Sequence, residues 1–477
     1  MLFSSFPFIF YFLPCAILAA AVASFLPYSV YLSVLVIASA VFYYWHVPVY
    51  LALLAGSAFF NFCLASFVEN NNRRWLCAIG VAANICLLAY FKYQNFFIQN
   101  IANIGGFGIA PRNLVLPLAI SFITFEQIAF LSSVHTKKIA RGSLLQYLAF
   151  ITFFPKLIAG PIIRYTELLP QLKARKAISL NSLATGICIF SIGLFKKVAL
   201  ADQINPVVNA VYDAAGSNVV PAADATWATF AYAAQIYFDF SGYSDMAIGL
   251  AWMFGLTLPI NFLSPYKATS LIDFWRRWHI TLSRFLRDYL YIPLGGSRGP
   301  QSRTYVNLLL VMTLGGLWHG AGWTFVVWGA IHGVALIINH IWNIVAAKGH
   351  ATAEFFGGPI NGLLTMLVVL LGWVFFRAAD LHAATNIFRS LAGGWTTTSI
   401  DRESMKLILA AWTIILMGPN TAEIFNYRLL LTGTDTNFLT SIPPAPIRKV
   451  IFAGIAFVAS MVVMASGQVN AFIYFQF

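Results

Sequence analysis

Charge is what this chain lacks. Only 9% of its 477 residues are Asp, Glu, Lys or Arg, where an ordinary soluble domain carries roughly a quarter. That shortage excludes a solvated globular surface, and the mean hydropathy of +0.77 points the same way. Cysteine is sparse too. Cys15, Cys63, Cys77, Cys86 and Cys188 all lie in apolar runs, without C-x-x-C or Cys/His ligand spacing. They read as small core side chains, which speaks against a disulfide framework or a metal site. No Lys or Arg precedes residue 73, so the first apolar run has no positive n-region and reads as a retained helix rather than a cleaved signal. Also missing are a repeat of fixed period, a low-complexity block, and the hydropathy echo between halves that many transporters show.

What the chain has is apolar bulk, with 60% hydrophobic and 16% aromatic residues. Crossing the hydrocarbon core takes about 20 apolar residues per helix. Such runs recur at 6–25, 28–45, 47–68, 75–91, 112–134, 145–163, 181–200, 225–256, 304–328, 330–347, 360–376, 406–418 and 449–466. The expected fold class is an all-α polytopic membrane protein, a single integral-membrane domain over 1–477. It would hold roughly ten to thirteen membrane helices, some of them short or re-entrant.

Lys and Arg outnumber Asp and Glu by 29 to 16, a net charge of +13. The basic residues fall in short connections: Arg73 and Arg74; Lys137, Lys138 and Arg141; Lys173, Arg175 and Lys176; Arg298 and Arg303. The positive-inside rule places these in the cytoplasm, and counting back three spans from Arg73 leaves the N-terminus outside. Residues 201–224 carry Asp202, Asp213 and Asp224 without Lys or Arg, as an outer loop would, yet Lys196 and Lys197 lie just before them. A short interfacial helix there would reconcile the two. The net charge is accounted for by topology and anionic lipid, so a nucleic-acid partner is not expected. The longer polar connections, 377–405 and 425–448, read equally as partner surfaces or solvated loops; the second holds the proline run of "SIPPAPIRK", which forbids helix.

Residues 273–289, "DFWRRWHITLSRFLRDY", are amphipathic when wound as one helix at about 100° per residue. Asp273, Arg276, Arg277, Arg284, Arg287 and Asp288 gather on one side, with the aromatic and aliphatic residues opposite, as on a helix lying in the membrane interface. His279 falls near the edge of the apolar side. The arginines suit either lipid phosphates or a phosphorylated cytosolic substrate such as a coenzyme A ester, since guanidinium pairs bidentately with phosphate.

Two further stretches place ionisable groups in apolar surroundings. "QIYFDFSGYSDMAIG" (235–249) contains Asp239, Ser241, Tyr243, Ser244 and Asp245. Ionisable groups at membrane depth cost a few kcal/mol and mark a cavity or a partner. At i, i+4 spacing Asp239 would meet Tyr243 and Ser241 would meet Asp245, either as a structural network or as a substrate site. "LGGLWHGAGW" (314–323) sets His319 between Trp318 and Gly320. Its glycines allow close approach of backbone or ligand. A neutral imidazole keeps one acceptor nitrogen, and burial favours that free base. It can take the proton from an alcohol attacking a thioester, although a buried histidine is also commonly a satisfied core residue. His332, thirteen residues on, would point away from His319 on one continuous helix.

At these motifs the chain resembles the membrane-bound O-acyltransferases, and within them the bacterial alginate O-acetyltransferase-like branch. The matching stretches are "LPLAISFITFEQI" (116–128), "FFPKLIAGPIIRY" (153–165), "YFDFSGYSDMAIGLAWMFG" (237–255), "NFLSPYKATSLIDFWRRWHITLSRFLRDYLYIPLGG" (261–296), "LWHGAGWTFVVWG" (317–329) and "GWVFFRA" (372–378). The resemblance covers most of the chain. Departures fall at Ala119, where relatives carry glycine, at Glu126, and at "LSSVH" (131–135).

The resemblance implies a ring of tilted helices around a central tunnel, with His319 of the W-H-G motif in the catalytic position and His279 as a second essential or tunnel-lining residue. It further implies that acetyl groups from cytosolic acetyl-CoA cross the bacterial inner membrane to an SGNH-type periplasmic partner, which esterifies an exported polysaccharide. Trp318, Arg276, Arg277, Arg284, Asp239, Tyr243 and Asp245 are the candidate substrate contacts. No bound cofactor or metal is expected. The acceptor stays open, because the branch also serves cellulose and peptidoglycan, and a cousin moves D-alanine onto teichoic acids. The reading from another class is a transporter or channel whose buried Asp and His residues relay ions. A scaffold that merely anchors a polysaccharide machine is a third.

Overall fold

The computed structural model describes all residues except 46, 72, 107, 109–111, 113, 175–177, 347–358, 395–396, 428–444, 468–469, 471 and 474–477. Arg175 and Lys176, and the 428–444 part of the polar connection 425–448, therefore lie outside the described residues. Every regular element among the described residues is helical. Among the described residues, six helices are long and apolar enough to cross a membrane: Val49–Asn71, Arg74–Gly105, Leu180–Ala215, Trp323–Val345, Ile360–Arg377 and Ile447–Ala465. Phe8–Ala23 and Tyr28–Tyr44 are shorter apolar helices.

Several apolar runs are broken where local chemistry breaks them. The run 145–163 divides into Leu144–Thr152 and Phe154–Leu157, because Pro155 has no N–H and its ring crowds the carbonyl four residues back. Within 112–134 the helix begins only at Ile120, after Pro117 and after Ala119 in the left-handed region at φ 63°. The run 304–328 is interrupted at Gly320, between Gln301–His319 and Trp323–Ala346. Residues 201–224 are helical over Asp202–Ala215, and Asp202 forms an ion pair with Lys197, 2.8 Å away. The charge at this point is thus neutralised inside the fold instead of being presented by an outer loop.

The described chain divides into two compact units. The first comprises Met1–Phe195, Tyr243–Ile260 and Phe425–Ser466. Its apolar helices are tied by the few polar groups they contain. Asn61 and Asn84 exchange amide hydrogen bonds at 3.3 and 2.7 Å, as polar side chains facing each other between membrane helices do. Ser143 and Gln146 form a capping box that starts Leu144–Thr152. Glu126 pairs with buried Lys156 of the "FFPKLIAGP" stretch, so this departure from the family pattern carries its own counter-ion.

The second unit comprises Lys196–Gly242, Asn261–Ile424 and Gly467–Phe477. Its helices are numbered here α1 (Asp202–Ala215), α2 (Ala222–Met253), α3 (Leu271–Arg277), α4 (Ile280–Leu286), α5 (Gln301–His319), α6 (Trp323–Ala346), α7 (Pro359–Arg377), α8 (Leu381–Leu391) and α9 (Arg402–Met417). Helix α2 belongs to this unit up to Gly242. Both histidines singled out by the sequence lie in the second unit.

Candidate active site

The amphipathic segment 273–289 is not one helix. Helix α3 starts under Ser270, whose hydroxyl accepts the Asp273 N–H, and it ends at Trp278, which turns extended. His279 then adopts φ 42°, ψ 55° before α4 begins. A left-handed conformation costs a side-chain-bearing residue roughly 1–2 kcal/mol, so other contacts must hold this one. They come from Asn261. Its main-chain carbonyl accepts the Ile280 N–H at 3.0 Å. Its side-chain oxygen accepts from the Thr281 hydroxyl at 2.8 Å and the Thr281 N–H at 3.3 Å.

The same Asn261 oxygen lies 3.2 Å from Nδ1 of His279. An amide oxygen only accepts, so Nδ1 carries the proton and Nε2 is left as the basic nitrogen. His279 is fully buried, and burial pushes its imidazolium below the ordinary histidine value. Its ring stands edge-on to Phe240 at 4.7 Å. The break also rearranges the arginines, which the single wheel had placed in one row.

His319 is the last residue of α5. The α5–α6 hairpin closes tightly because its facing positions lack side chains. A Cβ at Gly316 would lie 2.2 Å from the Phe325 carbonyl oxygen, and one at Gly329 would lie 2.4 Å from that of Met312. Such contact between backbones is what small residues permit in membrane helix pairs. Around His319 the ring centroids of Trp318, Phe376 and Trp328 stand at 4.9, 5.2 and 5.3 Å. His319 is 4% exposed as a residue, and its ring centroid lies 6.3 Å from that of His279.

One cavity of about 540 Å³ reaches His319. Leu308, Val311, Met312, Gly315 and His319 line it from one face of α5, a stripe extending roughly 16 Å at 1.5 Å per residue. Arg276, Arg284, Arg287 and His340 also line it. So do Tyr291 and Ser297, which share a hydrogen bond of 2.9 Å. The loop holding Ser297 rests on the N-terminal half of α5, where Asn307 donates to the Gly296 carbonyl at 3.0 Å and Arg303 donates to that of Leu294 at 3.0 Å. The stripe therefore runs from a polar, partly exposed entrance to the imidazole. Arg277 is not in the lining; its guanidinium turns to Asp273 on its own helix at 2.8 Å.

An O-acyl transfer site needs a base beside a channel for an activated acyl donor, and this cavity has that form. A model of the MBOAT, membrane-bound O-acyltransferase family, matches residues 120–376, which include all of α3 to α6. The chain belongs to the membrane-bound O-acyltransferase family. It is an acyltransferase and a multi-pass membrane protein. A peptidoglycan O-acetyltransferase of Helicobacter pylori is 41% identical over 78% of this chain and 76% of its own length. A probable alginate O-acetylase AlgI of Azotobacter vinelandii is 39% identical over 87% and 83%, and one of Pseudomonas putida is 36% identical over 93% and 94%.

The remaining candidates occupy other places in this acyltransferase. Asp239 faces Lys197, which also binds Asp202. The Ile473 N–H donates to Asp239 at 2.9 Å, and the Asn470 N–H donates to Asp202 at 3.3 Å. Between those anchors Phe472 packs on Phe240 at 5.7 Å, the ring that meets His279. From sequence, Lys197 stood out only as a topology conflict beside Asp202, and Asn470, Phe472 and Ile473 were not singled out. The only signal was a lysine and an aspartate five residues apart in an apolar run. Tyr243 and Asp245 belong to the first unit, where Tyr243 stacks on Phe3 at 4.8 Å and Asp245 accepts from the Tyr427 hydroxyl at 3.2 Å. His332, which a continuous helix would point away, returns toward the site because the chain turns at Gly320. Its centroid is 5.0 Å from that of Trp328, the ring that also flanks His319.

Proposed function

We propose that this acyltransferase takes acetyl groups from cytosolic acetyl-CoA and passes them across the bacterial inner membrane for O-acetylation of an exported polysaccharide. The observation that carries this reading is a single cavity with His319 in its wall together with Arg276, Arg284 and Arg287. Guanidinium groups suit the phosphates of a nucleotide-bearing thioester. The stripe along α5 suits its narrow acyl-bearing arm. The related alginate O-acetylases and peptidoglycan O-acetyltransferase support acetyl as the group and a glycan as its destination.

In the transfer step a ring nitrogen of His319 takes the proton of the acceptor hydroxyl as that oxygen attacks the thioester carbonyl. The new C–O bond forms, the C–S bond breaks, and the departing thiolate takes up the proton to become the free thiol. His279 acts in the same buried aromatic nest. An SGNH-type periplasmic transferase is the partner that would place the acetyl group on the glycan, and the N-terminus lies on the outer side of the membrane.

The test is turnover of labelled acetyl-CoA by the purified protein, with and without extract containing periplasmic proteins. His319→Ala is expected to lose label transfer by a factor on the order of a hundred or more, the scale of a general base, while staying folded. Equal turnover by the variant, or solute flux without any thioester use by the wild type, would overturn the proposal.

A further inference from the structure

One helical turn before His319 the cavity wall is formed by Gly315 and Leu286. Gly315 precedes His319 by four residues on α5, so the two lie on the same face, and both line the cavity. A Cβ added at Gly315 would lie 3.2 Å from Cδ1 of Leu286, its one contact within 4 Å outside the adjoining residues and the surrounding helix backbone. Leu286, at the end of α4, lines the same cavity. Its terminal methyl therefore packs directly over the bare α-carbon. On the α6 side the wall is Trp328, edge-on to the imidazole at 89°. Trp318 and Phe376 cover other sides of the ring. Gly315, Leu286 and Trp328 all line the cavity together with His319.

We infer that Leu286, seated over Gly315, gauges the acyl group and restricts the donor to short-chain acyl thioesters, acetyl above all. This inference rests on the acyl-transfer reading of the cavity. Leu286 can be trimmed to widen the space, and Gly315 can be given a methyl to narrow it. The two changes push selectivity in opposite directions, which general damage to the site would not do. One methylene in a tight apolar pocket is worth roughly ten- to two-hundred-fold in kcat/KM.

The experiment compares kcat/KM for acetyl-, propionyl- and butyryl-CoA in the purified wild type, Leu286→Ala and Gly315→Ala. Leu286→Ala is expected to reduce the preference for acetyl over butyryl at least about tenfold. Gly315→Ala is expected to raise the preference for acetyl over propionyl several-fold. If Leu286→Ala does not fold, Leu286→Val gives a smaller shift of the same sign, and Gly315→Ala decides independently. Ratios unchanged in variants that still turn over thioester would overturn the gauge and leave the proposed function standing. A wild type that turns over none of the three would overturn both.

Discussion

The rings of His279 and His319 stand 6.3 Å apart, centroid to centroid, in one buried aromatic nest of the second unit. That spacing is beyond direct hydrogen bonding between the rings, so neither imidazole serves as the other's orienting partner. Asn261 orients His279, and the walls of Trp318, Trp328 and Phe376 hold His319. Trp318 is common to both surroundings, 6.3 Å from the His279 centroid and 4.9 Å from that of His319.

Asn261→Ala removes the acceptor shared by His279 and Thr281. Leaving those buried donors unpaired costs about 1–3 kcal/mol and frees His279 from its left-handed conformation. The expected result is a lower unfolding temperature together with a fall in kcat that exceeds any change in KM for the thioester. Kinetics and thermal unfolding in detergent read both effects. An unchanged kcat would mean that the orientation of His279 does not matter to transfer.

The burial of His279 fixes the sign of a pH effect. In the unfolded chain its pKa is about 6.5, and in the native protein it is lower. Above pH 6.5 both states are neutral there. As pH falls below that value, toward the native pKa, the unfolded chain gains a proton that the native protein refuses, and stability is lost. The wild-type unfolding temperature is expected to drop more between about pH 7 and pH 5 than that of His279→Asn, which has no titrating group at this position. Parallel curves would contradict it.

Ala119 occupies a backbone conformation that glycine prefers, φ 63°, at the start of Ile120–His135. A left-handed alanine costs roughly 1–2 kcal/mol. Ala119→Gly removes that strain while giving back some chain entropy in the unfolded state. A net stabilisation of about 1 kcal/mol is expected, visible as a raised unfolding temperature with unaltered turnover. A lowered temperature would show that the methyl group packs well enough to outweigh the strain.

Lys197 is the cation shared by Asp202 and Asp239. Removing one partner from a buried ion cluster typically costs about 3–5 kcal/mol, because the charge left behind has no compensation. Lys197→Ala is therefore expected to unfold at markedly lower temperature or to fail to accumulate. The double change Lys197→Met with Asp202→Asn is expected to recover part of that loss. If Lys197→Ala is as stable as the wild type, the ions are not structural.

By itself the sequence determined that this is an all-helical membrane protein, that His319 lies among glycines within an apolar run, and which family it resembles. Those features are local: hydropathy sums along a stretch, and a motif is a short string of residues. The tertiary structure decided what depended on distant partners. A helical wheel assumes unbroken dihedrals, so it could not show that His279 leaves the helix in a left-handed conformation beside Asn261. Spacing alone linked Asp239 to Tyr243, whereas a buried carboxylate takes the strongest counter-charge within reach, here Lys197 from an earlier helix. Trp328, four residues before His332 on α6, came beside His319 only because the chain reverses at Gly320, and the gauge at Leu286 exists only where α4 crosses a bare α-carbon on α5. Period and composition name the candidates. Long-range packing and charge pairing decide which of them share a cavity.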